Sequence, residues 1–413
     1  MQKHCWKRIV LVIFLFFVFH FSSFSHIFSN PAPSNPHQNS LIQPISRMDA
    51  GWVDFYREGQ VDIDYLNRQH GNGSLRITPC SQGFFTGAYL NLQPQDMSNK
   101  GFRITFKVSS WERLESFFIA FSSRGIVEDG FEDFFFIDLK YYLSSIRPYE
   151  WETITLSPSN LLAYGNADWR NINTVIVRSI SSQHPAPTLW VDDISMFDNQ
   201  SRAGVVIAFD DGHLSSYTMG KITMEQYGFA GINYIIPPWL GEPGFVNEDH
   251  VFDMVKSGWD IGGHSDYNLV YLSPKDLAHD IKITHEYLEK HQFPGRQFYA
   301  LPYGQYNEAV IQALKPYFPF IRPNYALHQP SGYVVPERMN SQVILSYTPV
   351  AQIIDWIDRA MENQVLLILV FHKVEIETQY ETEYSLENFI AVLDYLKFNQ
   401  IPVVTLSEFF GTP

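Results

Sequence analysis

Cysteine is almost missing from this chain: Cys5 and Cys80 are its only thiols, one ahead of the apolar N-terminal run and the other well beyond it. That excludes a disulfide framework as the organising device, and Cys80 is expected to be a small buried residue. Positive charge is also short, with 29 Lys and Arg against 44 Asp and Glu and a formal net charge of -15. No basic cluster stands out, so the Lys- and Arg-lined surface that grips a phosphate backbone is lacking and nucleic acid is excluded as a partner. What is present is the composition of a folded protein, 45% hydrophobic and 16% aromatic, which excludes disorder over most of the length. A chain of 413 residues is too long for one ordinary core and predicts two domains.

Lys3, Lys7 and Arg8 precede the unbroken apolar stretch Ile9 to Phe19. This reads as an export signal, with Ser23 and Ser25 as a weak small-x-small cleavage site, while Ile9 to Phe28 is just long enough to span a bilayer. Residues 1–28 are therefore expected to be a signal peptide or membrane anchor, and 29–47, with Asn30 to Pro36 at its centre, a Pro- and Ser-rich linker. The expected destination is the periplasm, cell envelope or extracellular space, and membrane contact is expected only through this segment.

From 48 to 200 the pattern is strand after strand. Gly101 to Val108 alternates apolar and polar residues, and comparable runs recur at Ser74–Thr78, Gly87–Leu92, Phe117–Phe121, Phe134–Leu139, Thr153–Leu156, Thr174–Arg178 and Leu189–Ser195 between Gly, Pro, Asn and Ser clusters. The spacing predicts an all-β sandwich. Its last strand, Thr188 to Met196, resembles the closing strand of galactose-binding-like jelly rolls, a class that includes carbohydrate-binding modules. Trp111, Tyr149, Trp151, Tyr164 and Trp169 are ring-stacking candidates, though core or rim packing is the commoner use of such residues.

From 201 to 413 the rhythm changes to short apolar strands, Gly204–Phe209 and Ile232–Ile236, alternating with helical patterns. Ser273, Asn307 and Ser385 are N-cap candidates for helices over Ser273–Lys290, Glu308–Leu314 and Leu386–Phe398. This predicts an α/β barrel, whose reactive side chains belong at the C-terminal ends of its strands. Four motifs fall there. Ala208-Phe-Asp-Asp-Gly212 pairs two carboxylates that can divide metal binding and proton acceptance. Asp260 to Leu269 carries His264 and Asn268, four apart, which converge if the segment turns helically. Phe298 to Asn307 runs into a Pro-Tyr-Gly turn whose backbone N–H groups can face an oxyanion. Val365 to Lys373 is a buried strand ending in His372. Each motif alone is matched by a structural use, a turn or a satisfied histidine.

In this order the four together resemble the polysaccharide deacetylase family defined by the NodB-homology domain, over Arg202 to about Thr412. The resemblance implies a distorted (β/α) barrel and metal-dependent hydrolysis of N-acetyl groups on a polysaccharide, most simply an N-acetylglucosamine polymer, with release of acetate. It implies Asp210 as general base, His372 as general acid, Asp211 and His264 as metal ligands, Tyr303 and Gly304 at the oxyanion, and Val370 in the wall around the acetyl methyl. The implied cofactor is a divalent metal, zinc by its donor types.

Two positions depart from the family pattern. Asn268 stands where a second histidine is usual, a weaker donor toward zinc that leaves other transition metals open. Ala300 stands where many members carry an arginine paired with the base; a subset with similar turns shares that change, and Arg322 in Phe320-Ile-Arg-Pro323 is the candidate replacement. The competing readings are a degenerate relative that binds glycans without turnover, an O-acetyl esterase, and an export-linked scaffold.

Overall fold

Side-chain alternation along the first half builds two antiparallel sheets with one core between them. Along Lys100–Val108, Phe102, Ile104, Phe106 and Val108 are wholly buried, and Phe102 meets Phe121 of the facing sheet with ring centroids 4.4 Å apart. In the computed structural model, which describes residues 42–412 apart from 49, 56–58, 128–129, 144–145, 201 and 333, one six-stranded sheet runs Trp151–Leu156, Lys100–Val108, Leu189–Asp198, Ser74–Thr78, Gln60–Asp64, with Gln43–Ser46 also paired to Leu189–Asp198. The other six-stranded sheet runs Leu162–Tyr164, Phe134–Asp138, Ser116–Ser122, Ile172–Ile180, Thr86–Gln95, Val53–Phe55. This is the sandwich that the strand spacing predicts, extended by short edge strands with too few residues to show a period. Trp111 is buried and Trp169 stacks on Phe135 at 4.0 Å, so both serve the core, whereas Tyr149 and Tyr164 are exposed. Cys80 is half-buried rather than buried. The expected export segment lies outside the described residues, among which no helix is long and apolar enough to cross a membrane.

The second half is built on a seven-stranded parallel sheet in the order Phe320–Arg322, Phe298–Ala300, Asp260–Gly263, Ile232–Ile235, Gly204–Phe209, Leu366–Phe371, Gln342–Val343. Its central members, Gly-Val-Val-Ile-Ala-Phe and Leu-Leu-Ile-Leu-Val-Phe, are buried at every residue, as parallel strands covered on both faces must be. The sheet curls without full strand pairing between its edges; the Met339 N–H to Ile321 O bond, 3.0 Å, spans part of the gap. It is the distorted barrel expected. Helices cover the outside, among them Pro274–His291, Glu308–Leu314 and Leu386–Phe398, and the side chains of Ser273, Asn307 and Ser385 accept the N–H of Asp276, Val310 and Asn388 at their starts.

Alternate residues of these strands point inward and form their own cluster: Val206 and Ala208, Ile232 and Tyr234, Phe298 and Ala300, Phe320, and Leu366, Ile368 and Val370. The short helix Leu406–Phe410 closes one end, where the Ser407 N–H donates to Asp260 Oδ2 at 2.8 Å. Continuing the same period past the other end brings Asp210, His264, Arg322 and His372 to the inside of the mouth. The strands thus fix which functional side chains can meet.

Candidate active site

Asp210 lies one residue beyond its strand, and its N–H donates to Phe371 O at 2.9 Å, which ties the start of the site to the strand that leads to His372. Both Asp210 oxygens accept from Nη2 of Arg322, at 2.5 and 2.7 Å. The pair is buried, Arg322 being 3% and Asp210 6% exposed. The guanidinium also lies 5.1 Å over the Tyr234 ring, an inward-facing neighbour that the motifs had not pointed to. Ala300 and Arg322 are Cα partners in adjacent parallel strands. The arginine absent at Ala300 is therefore supplied one strand over at the same level, as the Arg322 candidate required.

Asp211 has φ of +71°, a left-handed conformation that a non-glycine residue adopts at a cost and that Gly212, also at positive φ, continues. The bend turns its carboxylate away from Asp210's partner and toward two imidazoles: His264 Nε2 is 3.1 Å from Oδ1 and His213 Nε2 is 3.3 Å from Oδ2. Burial alone would raise the Asp211 pKa, but hydrogen bonds from His213 and His264 carry it well below the usual carboxylate range. His264 is buried, and its Nδ1–H donates to Ala300 O at 2.7 Å. Burial would lower its pKa, and Asp211 followed by Asp210 reverses the sign and raises it. His213, which follows the Asp-Asp-Gly turn, stacks on Phe245 with centroids 5.1 Å apart.

His372 stands between these groups and the strand Leu366–Phe371, and its Nδ1 has no hydrogen-bond partner among the described residues. Burial lowers its pKa below the ordinary imidazole value even though Asp210 and Asp211 pull the other way. Val370 is fully buried in the inward cluster one layer below. In the Pro-Tyr-Gly turn Tyr303 has φ of +58° and its ring is 72% exposed. Gly304 N–H is taken by Leu301 O at 2.9 Å and Gln305 N–H by Pro302 O at 3.2 Å, so the N–H of Gly304 belongs to the turn. Gly304 is indispensable for shape: a Cβ there would lie 2.2 Å from Asn324 Cβ.

The helical turn expected between His264 and Asn268 does not form. Ser265 Oγ accepts Tyr267 N–H at 3.1 Å and donates to Asp280 at 2.9 Å, and the segment bends at Asp266 and Tyr267 without closing a helical turn before the 3-10 turn Leu269–Tyr271 begins. Asn268 caps that turn, accepting Val270 N–H at 3.3 Å, and its amide donates to Gln305 at 2.8 Å. The structure therefore brings Asp210, Asp211, His264, Arg322 and His372 together and commits the Asn268 carboxamide to its own neighbours.

The Asp211–His264 pair fits a divalent cation. With Nδ1–H fixed on a carbonyl, Nε2 is the His264 atom that meets the Asp211 carboxylate, and a cation taking the place of its proton would find a nitrogen and an oxygen donor side by side. No group of three or more His, Cys, Asp and Glu among the described residues is spaced to hold a metal.

Residues 198–317 match the family model described as polysaccharide deacetylase. The match takes in Asp210, Asp211, His264 and Tyr303 and stops short of Arg322 and His372. The deacetylase class expected from the four motifs is the class of that family. Among solved structures the chain is similar to the peptidoglycan deacetylase PdaC from Bacillus subtilis, at 17% identity over 51% of this chain and 91% of that one, with a TM-score of 0.33. It is also similar to the Xyl-CE4 domain of a multidomain xylanase from the hindgut metagenome of Trinervitermes trinervoides, at 15% identity over 51% and 90%, TM-score 0.34. A third likeness is to the family 30 carbohydrate-binding module of a Clostridium thermocellum cellulosomal cellulase, at 16% identity over 38% and 98%, TM-score 0.31. A search of curated proteins returned no match.

Proposed function

We propose that this protein removes acetyl groups from the N-acetylated sugars of an exported polysaccharide, an N-acetylglucosamine polymer, releasing acetate. The observation that carries the reading is the Asp210–Arg322 pair set beside the Asp211–His264 pair and His372 at one barrel mouth. The sandwich, residues 48–200, and the deacetylase domain, 201–413, act as one exported unit behind the N-terminal signal or anchor.

Asp211 and His264 would hold a divalent metal, zinc by donor type, with Asn268 as the third position if its carboxamide turns from Gln305. The chemistry supplied by an ion held there would be Lewis-acid polarisation of the acetyl carbonyl and acidification of water. Asp210 accepts the proton of the attacking water, and Arg322, bonded to both of its oxygens, holds that carboxylate in place. The water oxygen bonds to the amide carbon, and Tyr303 N–H donates to the oxyanion that forms. His372 delivers a proton to the amide nitrogen as the C–N bond breaks, giving acetate and a free amine. Burial holds the His372 pKa below the ordinary imidazole value while Asp210 and Asp211 pull it up, which favours release of that proton to the leaving amine. Val370 bounds the space for the acetyl methyl.

One observation favours the second reading, a glycan-binding relative without turnover: the Asn268 side chain is already engaged by Gln305 and Val270. The deciding experiment measures acetate release from N-acetylglucosamine oligomers, and metal content, for the whole metal-reconstituted chain, Asp210→Ala and Asn268→His. Release by wild type and none by Asp210→Ala supports the deacetylase. Metal binding or turnover in Asn268→His alone supports the binding relative.

A further inference from the structure

One sandwich carboxylate, Glu152, reaches barrel segments next to the candidate site. Glu152, on the strand Trp151–Leu156, is 5% exposed and accepts the Tyr306 O–H at 2.6 Å on Oε2 and the Arg338 Nε–H at 2.6 Å on Oε1. The Tyr306 hydroxyl also contacts the Tyr325 hydroxyl, and the Arg338 guanidinium lies 4.3 Å over the Tyr306 ring. A second sandwich side chain, Arg147, donates its Nε–H to Tyr306 O at 2.7 Å. At the backbone, Ala326 N–H donates to Tyr142 O at 2.9 Å.

The barrel residues gripped in this way sit just downstream of site residues. Tyr306 follows the turn that carries Tyr303, and Tyr325 follows the strand that ends in Arg322. The two segments also pack on each other, since Gly304 lies against Asn324 too closely for any side chain. Two sandwich contacts therefore bear on the oxyanion turn and on the base's cation at once. A sandwich that only tethered the barrel to a polymer would not need a buried charge network here, because buried ions are costly unless their hydrogen bonds are met.

We propose that Glu152 is a positioning residue for the deacetylase site: through Tyr306 and Tyr325 it sets the Tyr303 turn and the Arg322 strand end. The inference rests on the deacetylase reading for its effect on catalysis, but the positioning itself is visible without turnover. Loss of one hydrogen bond to a charged group is worth about tenfold to a hundredfold in a local opening equilibrium or a rate.

The test uses the whole chain with Glu152→Gln and Tyr306→Phe, followed by amide hydrogen exchange read by mass spectrometry and by acetate release from N-acetylglucosamine oligomers. Expected is exchange about tenfold faster or more in 301–307 and 321–326, with wild-type protection in Ser116–Ser122 and Leu366–Phe371 and a kcat down about tenfold at a KM within about twofold. If Glu152→Gln does not fold, Tyr306→Phe, which keeps the Glu152–Arg338 pair, carries the test alone. Unchanged exchange in the two segments, a rise spread over the whole chain in Tyr306→Phe, or an unchanged kcat overturns the proposal. If wild type releases no acetate, the deacetylase reading fails, while the exchange arm still decides whether Glu152 holds these segments.

Discussion

Replacing Arg322 with Met should destabilise the barrel more than any single change elsewhere at its mouth. The guanidinium and the Asp210 carboxylate are 3% and 6% exposed and joined at 2.5 and 2.7 Å, so neither can be rehydrated when its partner is lost. Methionine keeps an unbranched apolar stem of similar reach but removes the guanidinium that lies over Tyr234, so the loss is chiefly electrostatic. Breaking one side of such a buried pair costs about 3–5 kcal/mol, because a charge is left unpaired in a low dielectric. Removing both charges, as in Asp210→Leu with Arg322→Met, should restore all but about 1–2 kcal/mol, since a buried pair is close to neutral against an apolar substitute. Urea unfolding at constant m-value measures both. Acetate release should vanish in the double variant despite its recovered stability, which separates the chemistry from the fold. A cost under about 1 kcal/mol for Arg322→Met, or a double variant no more stable than the single, would refute the assignment of this pair as a closed, desolvated unit.

Other changes test other parts of the structure. Gly304→Ala must place a Cβ 2.2 Å from Asn324 Cβ at φ of +63°; it should cost more than about 1 kcal/mol and lower kcat by moving Tyr303, and a variant with wild-type midpoint and rate would show that the turn is soft. Asp211→Asn or His264→Gln should each weaken zinc binding at least about tenfold by calorimetry, while an equally tight variant would place the ion elsewhere. Burial, with Arg359 adding to it, pushes the His328 imidazole down to about 3. Its folded value lies below the unfolded one of about 6.5, so the neutral ring stabilises the fold above pH 6.5 and that contribution, about 5 kcal/mol in full, is lost as pH falls toward 3. His328→Gln should flatten the dependence of the unfolding midpoint on pH in that window, and an unchanged slope would show that other groups set it.

The parts of this protein that the sequence makes legible are those written in short-range periods. The all-buried runs Gly204–Phe209 and Leu366–Phe371, the caps Ser273, Asn307 and Ser385, and the alternation in Lys100–Val108 each encode an element locally, and each element stands where the pattern puts it. Asp210, Asp211, His264 and His372 were legible for the same reason, as strand ends with reactive side chains. The stretch from His264 to Asn268 misled, because a four-residue spacing says nothing about Ser265, whose bonds to Tyr267 and Asp280 hold the chain out of a helical turn. Tyr234 was missed although its signal was present, as an inward position on a strand whose neighbours supply the site.

What stayed hidden is contact between residues far apart in sequence. Asp210 and Arg322 are 112 residues apart, and Glu152 and Arg338 are 186 apart. No local pattern joins such pairs, and only parallel register shows that Ala300 and Arg322 share one level of the sheet. That register has a consequence for the site. Because the inward positions of neighbouring strands lie at one height around the mouth, a cation needed beside Asp210 can be furnished from either of two adjacent strands with little change in reach. The strand end that furnishes it then has to be held as firmly as Asp210 itself. Here that end is followed three residues on by Tyr325, whose hydroxyl meets the Tyr306–Glu152 network, so the strand end that carries Arg322 and the sandwich strand that carries Glu152 are joined by one set of buried contacts.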